Sequence, residues 1–196
     1  MTTGLVVEGK LELNVLKILL ADLDWAQFDS YAAGNYSSLD SLGRSMLSTG
    51  IRRLALVADS DSQSRSMVEE RRRFLDSSMR DIWPSAELLI TLVEPEFEAF
   101  FFVHPEVAEA IVQCELTAED RIVGRYEPKR ILAKYLGDAN LEERVSGLGP
   151  VELDKLRSLP QIAALTEFLS PKMVVRSGRS KASAVAEHRE PYSPGT

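Results

Sequence analysis

The chain has 196 residues, 44% of them hydrophobic and 27% charged, with a formal net charge of −7, a balance that suits one globular domain or one and a half. That acidity argues against a protein that coats nucleic acid with a basic surface, although carboxylates that approach phosphates through a cation would produce the same total. A single cysteine, Cys114, excludes an internal disulfide and a structural zinc site.

Strand and helix periods alternate over the first hundred residues. GLVVEG (4–9) reads as a buried strand, and KLELNVLKILLADL (10–23) as an amphipathic helix with Leu13, Leu16 and Leu20 near one face. A second strand is expected in FDSYAAG (28–34), followed by a helix in SSLDSLGRSMLST (37–49) capped by Ser37 or Ser38. RRLALVADSD (52–61) is the clearest strand, apolar from Leu54 to Ala58 and ending on Asp59. A charged helix in SMVEERRRFLDSSMRDI (66–82) leads to a fourth strand in AELLITLVEP (86–95). Strands alternating with helices across short connections imply crossover units, so the fold class is α/β with a mainly parallel sheet covered on both faces.

From about residue 95 the periods become helical: 95–112, 127–137, 140–147, 151–160 and 161–169, with Pro and Gly between them. Cys114 falls in this part and is read as a small apolar residue on a helix. Residues 171–196 carry five Lys/Arg against two Glu, leaving about −10 on the rest, and their Ser, Arg, Pro and Gly content predicts a flexible tail. No stretch has the length of a membrane span and the first residues lack a signal-peptide layout, so no membrane partner and a cytoplasmic location are expected.

In an open parallel sheet, ligands bind beyond the carboxyl ends of the strands. Glu8 ends the first strand and Asp59 the third, while Glu94, Glu96 and Glu98 follow the fourth. If the chain stays extended past Asp59, Asp61 points to the same side with its Cα about 6.5–7 Å away. Taken singly, each acid also fits an ordinary turn, cap or solvated position. Taken together they converge on one edge, where carboxylates need a neutralising cation. Oxygen donors without His or Cys point to Mg²⁺ or Mn²⁺.

VVEGKLE (6–12), LALVADSD (54–61) and EPEFEAFFF (94–102) together resemble the TOPRIM domain, closest to small stand-alone proteins of the OLD-nuclease type. The resemblance spans about residues 4–104. It departs at Leu11, where the OLD-like branch usually has a small hydroxyl residue, while Glu12 keeps the acid that follows. It implies a TOPRIM-like, Rossmann-like core over 1–104, and a helical C-terminal extension is expected to pack on it over 105–170. It also implies metal-dependent phosphodiester hydrolysis of nucleic acid, DNA before RNA. Glu8, Asp59 and Asp61 would be catalytic, and Glu8, Asp59, Asp61 and Glu98 would hold Mg²⁺ or Mn²⁺. Such proteins often serve phage defence or DNA repair. The chain lacks a phosphate loop of the G-x-x-x-x-G-K-[ST] kind, so any ATPase would be a separate subunit; a homodimer is also compatible.

Gly9 would let the backbone turn close to substrate, and Lys10 and Glu12 stand beside it as candidate substrate-binding residues. Lys129, Arg130 and Lys134 are candidates for a backbone clamp, Arg130 and Lys134 sharing one helical face. Each cation also fits a solvated surface. Arg71, Arg72 and Arg73 are read as a solvent-facing, salt-bridged helix face. Two other functions stay open: a non-catalytic TOPRIM-like binding protein acting with a partner, and a Mn²⁺-dependent nucleotide-sugar transferase using Asp59 and Asp61.

Overall fold

The computed structural model describes residues 2–137 and 139–170. Strands β1 (Thr3–Val7), β2 (Phe28–Ala32), β3 (Arg53–Asp59) and β4 (Glu87–Val93) form one four-stranded sheet in the order β2-β1-β3-β4. All three pairings are parallel, as expected for a Rossmann-like, TOPRIM-like arrangement. The two central strands are buried along their whole length, which is why they read as continuous apolar runs rather than as alternating ones.

Alternate side chains of these strands feed two separate cores. Leu5, Val7, Ala55 and Val57 face helix α1 (Lys10–Leu19) and the C-terminal helices, while Val6, Leu54, Leu56 and Ala58 face α2 (Tyr36–Ser48) and α3 (Arg65–Ile82). The chain runs from β1 outward to β2 and then crosses to β3 on the other side of β1. That reversal opens a crevice between the carboxyl ends of β1 and β3, and Glu8 and Asp59 stand at its two walls.

After β4 the chain forms α4 (Ala99–Phe102), α5 (Pro105–Val112), α6 (Ala118–Val123), α7 (Pro128–Leu136), α8 (Leu141–Ser146), α9 (Pro150–Arg157) and α10 (Pro160–Leu169). Their apolar side chains join the core on the α1 face, so one cluster runs from Leu5 to Leu169. Polar ties reinforce the docking. Asn14 Nδ2 donates to Glu142 Oε2 at 2.8 Å, Arg157 Nε to the Leu19 carbonyl at 2.9 Å and Arg53 Nη2 to the Phe168 carbonyl at 2.6 Å. Among the described residues, no helix is long and apolar enough to cross a membrane. The expected flexible tail, 171–196, lies outside the described residues.

Several local expectations are corrected. Helix α2 is capped by Asn35, whose side chain accepts the Ser38 N–H at 2.9 Å, and not by Ser37 or Ser38. The helical reading of 95–112 divides into a turn, α4 and α5, because Pro105 cannot continue the preceding helix. Helix α6 was not anticipated; Thr117 caps it by accepting the Asp120 N–H at 3.0 Å. Cys114 is exposed and lies past the end of α5, beyond the left-handed Gln113 (φ 59°).

Gly124 ends α6 and is buried against Phe102, which is 1% exposed; a Cβ there would collide with the Phe102 ring. Its backbone is right-handed (φ −58°), so the requirement for glycine is steric. Gly124→Ala should therefore destabilise the protein by about 1–3 kcal/mol through overpacking. Urea denaturation checks this: the midpoint should fall with the slope unchanged, and an unmoved midpoint would mean that Phe102 relaxes freely.

Candidate active site

The crevice is assembled from backbone outward. Glu8 follows β1 with its N–H still donating to the Val57 carbonyl at 3.0 Å, so its position is fixed by the β1–β3 ladder. Its carboxylate crosses the crevice and accepts the Asp59 N–H at 3.2 Å. Asp59, the last residue of β3, is 6% exposed. Its Oδ1 accepts the Phe97 N–H at 2.7 Å and its Oδ2 accepts Lys129 Nζ at 3.1 Å. One aspartate therefore joins the ends of β1 and β3, the turn before α4, and helix α7.

The β3–α3 and β4–α4 connections are laced together beneath it. Ser60 N–H donates to the Val93 carbonyl at 2.8 Å, and Asp61 N–H to the Pro95 carbonyl at 2.9 Å. Those bonds bring Glu98, which precedes α4, into the crevice as a residue only 4% exposed. Its Oε2 is buried without a hydrogen-bond partner, a costly state for a carboxylate oxygen. The nearest compensation is the Lys129 ammonium at 3.7 Å, which also stands 3.7 Å from Glu96 Oε1.

Glu12 completes the acidic group from the first turn of α1, folding back over Gly9. A Cβ on Gly9 would collide with Glu12 Oε2, so the glycine makes room for this carboxylate. Burial pushes both Glu8 and Glu12 above the ordinary glutamate range, with the Asp59 charge adding to each. Burial takes Glu98 further, to about 7, against the opposing pull of Lys129. Burial works against the Lys129 charge in turn, but Glu98 and Asp59 outweigh it and hold the ammonium above the usual lysine range.

Not every residue proposed from sequence meets here. Asp61 does not continue the extended strand: its backbone is left-handed (φ 47°), and its carboxylate turns to Arg71 Nη1 at 2.9 Å. Lys10 opens α1 at an exposed position. Arg130 pairs with Glu127 at 2.7 Å, and Lys134 is held by both oxygens of Asp120, at 2.9 and 2.8 Å. Thr117 and Tyr135 also donate to Asp120, so Lys134 belongs to a network that fastens α6 to α7. Glu94 is exposed beyond β4. Arg71 is the residue that sequence reasoning missed. The salt bridge expected of its helix face is made to Asp61, and the guanidinium also reaches the Asp59 carbonyl at 3.3 Å and lies over the Tyr36 ring at 5.0 Å. Its position in the first two turns of α3, just after the Asp59 loop, was the available signal.

The oxygen-only donor set and the orphaned Glu98 oxygen fit a hard divalent cation. Among the described residues, however, no three Asp, Glu, His or Cys side chains stand at metal-ligand spacing. Lys129 Nζ holds the position on which Asp59, Glu96 and Glu98 converge. The carboxylates nearest this point are Asp59, Glu96 and Glu98, with Glu8 bonded to the Asp59 N–H.

The fold has a solved counterpart. The C-terminal region of the Xanthomonas campestris pv. campestris OLD protein matches with a TM-score of 0.51 at 13% sequence identity, covering 85% of this chain and 93% of that one. At that identity the likeness is one of fold. No protein-family model matches the chain, and no curated protein matches its sequence.

With Glu98 raised from 4.5 to about 7, the native state keeps a proton that the unfolded chain has already released across that interval. Stability then falls as pH rises through the window and levels off above it. In metal-free buffer, denaturation at pH 5 and pH 8 should show wild type losing about 1–3 kcal/mol more than Glu98→Gln over the same step. Identical pH slopes in the two proteins would contradict the buried, raised carboxyl.

Proposed function

We propose that this chain is a small metal-dependent phosphodiesterase of the TOPRIM type, a nuclease or nuclease subunit acting on nucleic acid, DNA before RNA. The observation that carries the reading is Glu98: a carboxylate 4% exposed, with one oxygen lacking a hydrogen-bond partner, sharing the Lys129 ammonium with Asp59 beyond the carboxyl ends of a parallel sheet. The fold shared with the OLD C-terminal region supports it as a scaffold.

When bound, Mg²⁺ or Mn²⁺ would polarise a phosphate oxygen and lower the pKa of an attacking water. Glu8, Asp59 and Glu98 are the proposed ligands. Glu8 is also the proposed proton acceptor, since burial has already raised its affinity for a proton. Gly9 and Lys10 begin α1, where backbone N–H groups suit a phosphate. Arg71 stands at the opposite wall, its guanidinium on the Asp59 carbonyl and Asp61, and would hold a second phosphate oxygen. Asp61 therefore acts by orienting Arg71. Arg130 and Lys134 serve the protein's own acids. A separate ATPase subunit and a role in phage defence or DNA repair complete the proposal.

One observation favours a non-catalytic binding protein instead: the convergence point of the acids holds Lys129. A nuclease assay separates the two. Purified protein is incubated with Mg²⁺ or Mn²⁺ and supercoiled plasmid, linear duplex, single-stranded DNA or RNA. The nuclease reading expects cleavage that EDTA abolishes and that Asp59→Asn reduces by at least about a hundredfold. Wild type and Asp59→Asn equally inert on all four substrates would leave the binding-protein reading.

A further inference from the structure

Resting on the metal-dependent reading, we infer that Lys129 is a resident counter-ion which a divalent cation must displace, making α7 a latch on the acidic crevice. Lys129 comes from α7, 70 residues beyond Asp59 in sequence, yet its ammonium stands among Asp59, Glu96 and Glu98 at 3.1, 3.7 and 3.7 Å. Only the first of these is a hydrogen bond. The ammonium therefore supplies charge to the group without satisfying it, and Glu98 Oε2 is left without a donor. Glu8 and Glu12 raise the negative charge further from the β1–α1 side. One monovalent cation against this many carboxylates leaves an excess of negative charge that a divalent ion would neutralise better.

The latch can open without unfolding. The Lys129 side chain is 51% exposed and sits on a flexible four-carbon stem. The anchoring of α7 is elsewhere, in buried Pro128, Ile131 and Leu132 and in the Lys134–Asp120–Tyr135 network. Swinging the ammonium out would free the second oxygen of Asp59 while Phe97 N–H still fixes the first. The same movement would carry a positive charge from the acids to the crevice mouth, where an incoming phosphate would meet it.

Mn²⁺ binding to the EDTA-stripped full chain, measured by calorimetry, tests this without reference to cleavage. Lys129→Gln should bind Mn²⁺ at least about tenfold more tightly than wild type, because no ammonium competes. It should melt lower than wild type in EDTA and recover with Mn²⁺. Lys129→Arg, which keeps the charge, should bind no more tightly than wild type. Equal affinity of wild type and Lys129→Gln would overturn the latch and leave the metal site standing; failure of both to bind Mn²⁺ would overturn the latch and the metal-dependent reading together. Should Lys129→Gln not fold, wild type alone decides. Acetylation of Lys129, followed by mass spectrometry with the other lysines as internal controls, should quicken when saturating Mn²⁺ is added. An unchanged rate would overturn the inference.

Discussion

The Asp59 carboxylate is the constraint on which the rest of the site depends. Its two oxygens are committed to partners from different parts of the chain, Phe97 N–H and Lys129 Nζ, while its own N–H is taken by Glu8. Each bond serves packing as well as chemistry. The Phe97 bond seats the turn that carries Glu98 and starts the aromatic run Phe97, Phe100, Phe101 and Phe102, four side chains at most 4% exposed. The Lys129 bond reaches the sheet end from α7, which is itself packed through Pro128, Ile131 and Leu132. One residue thus links four parts of the chain at the crevice.

Such an arrangement stores unfavourable electrostatics in a stable fold. Two apolar cores, one on each face of the sheet, hold Glu8 and Glu98 where burial, with the neighbouring Asp59 charge, disfavours their ionisation. Away from the crevice several charged groups have close partners, such as Arg121 with Glu109 and Arg80 with Asp76. Concentrated, under-compensated charge in a cleft is what a bound cation would relieve.

Much of this was legible in the sequence. The runs Leu5–Val7 and Leu54–Ala58 announced buried parallel strands, and the acids that end them, Glu8 and Asp59, lie where the topology opens. Glu94, Glu96 and Glu98 were all legible as acids beyond the fourth strand, and the resemblance to a known acidic element singled out Glu98. What sequence could not show was conformation at single residues and pairing across long separations. Asp61 was placed beside Asp59 by assuming an extended chain; one left-handed residue turned it to Arg71. The partners of Arg71 and Lys129, Asp61 and Asp59, lie 10 and 70 residues away, and an amphipathic period tells which face a residue occupies and not what that face meets. Helix α6 escaped notice because six residues with few apolar positions carry no period, and Asn35 was overlooked as a cap beside two serines.

The proposal that Glu8, Asp59 and Glu98 hold a divalent cation is tested most directly by a crystal structure grown with Mn²⁺ and recorded at a wavelength where Mn²⁺ scatters anomalously. An anomalous peak is expected among these three carboxylates, with Lys129 Nζ moved away from Asp59. A well-ordered crevice with no peak at saturating Mn²⁺, and Lys129 still bonded to Asp59, would contradict it.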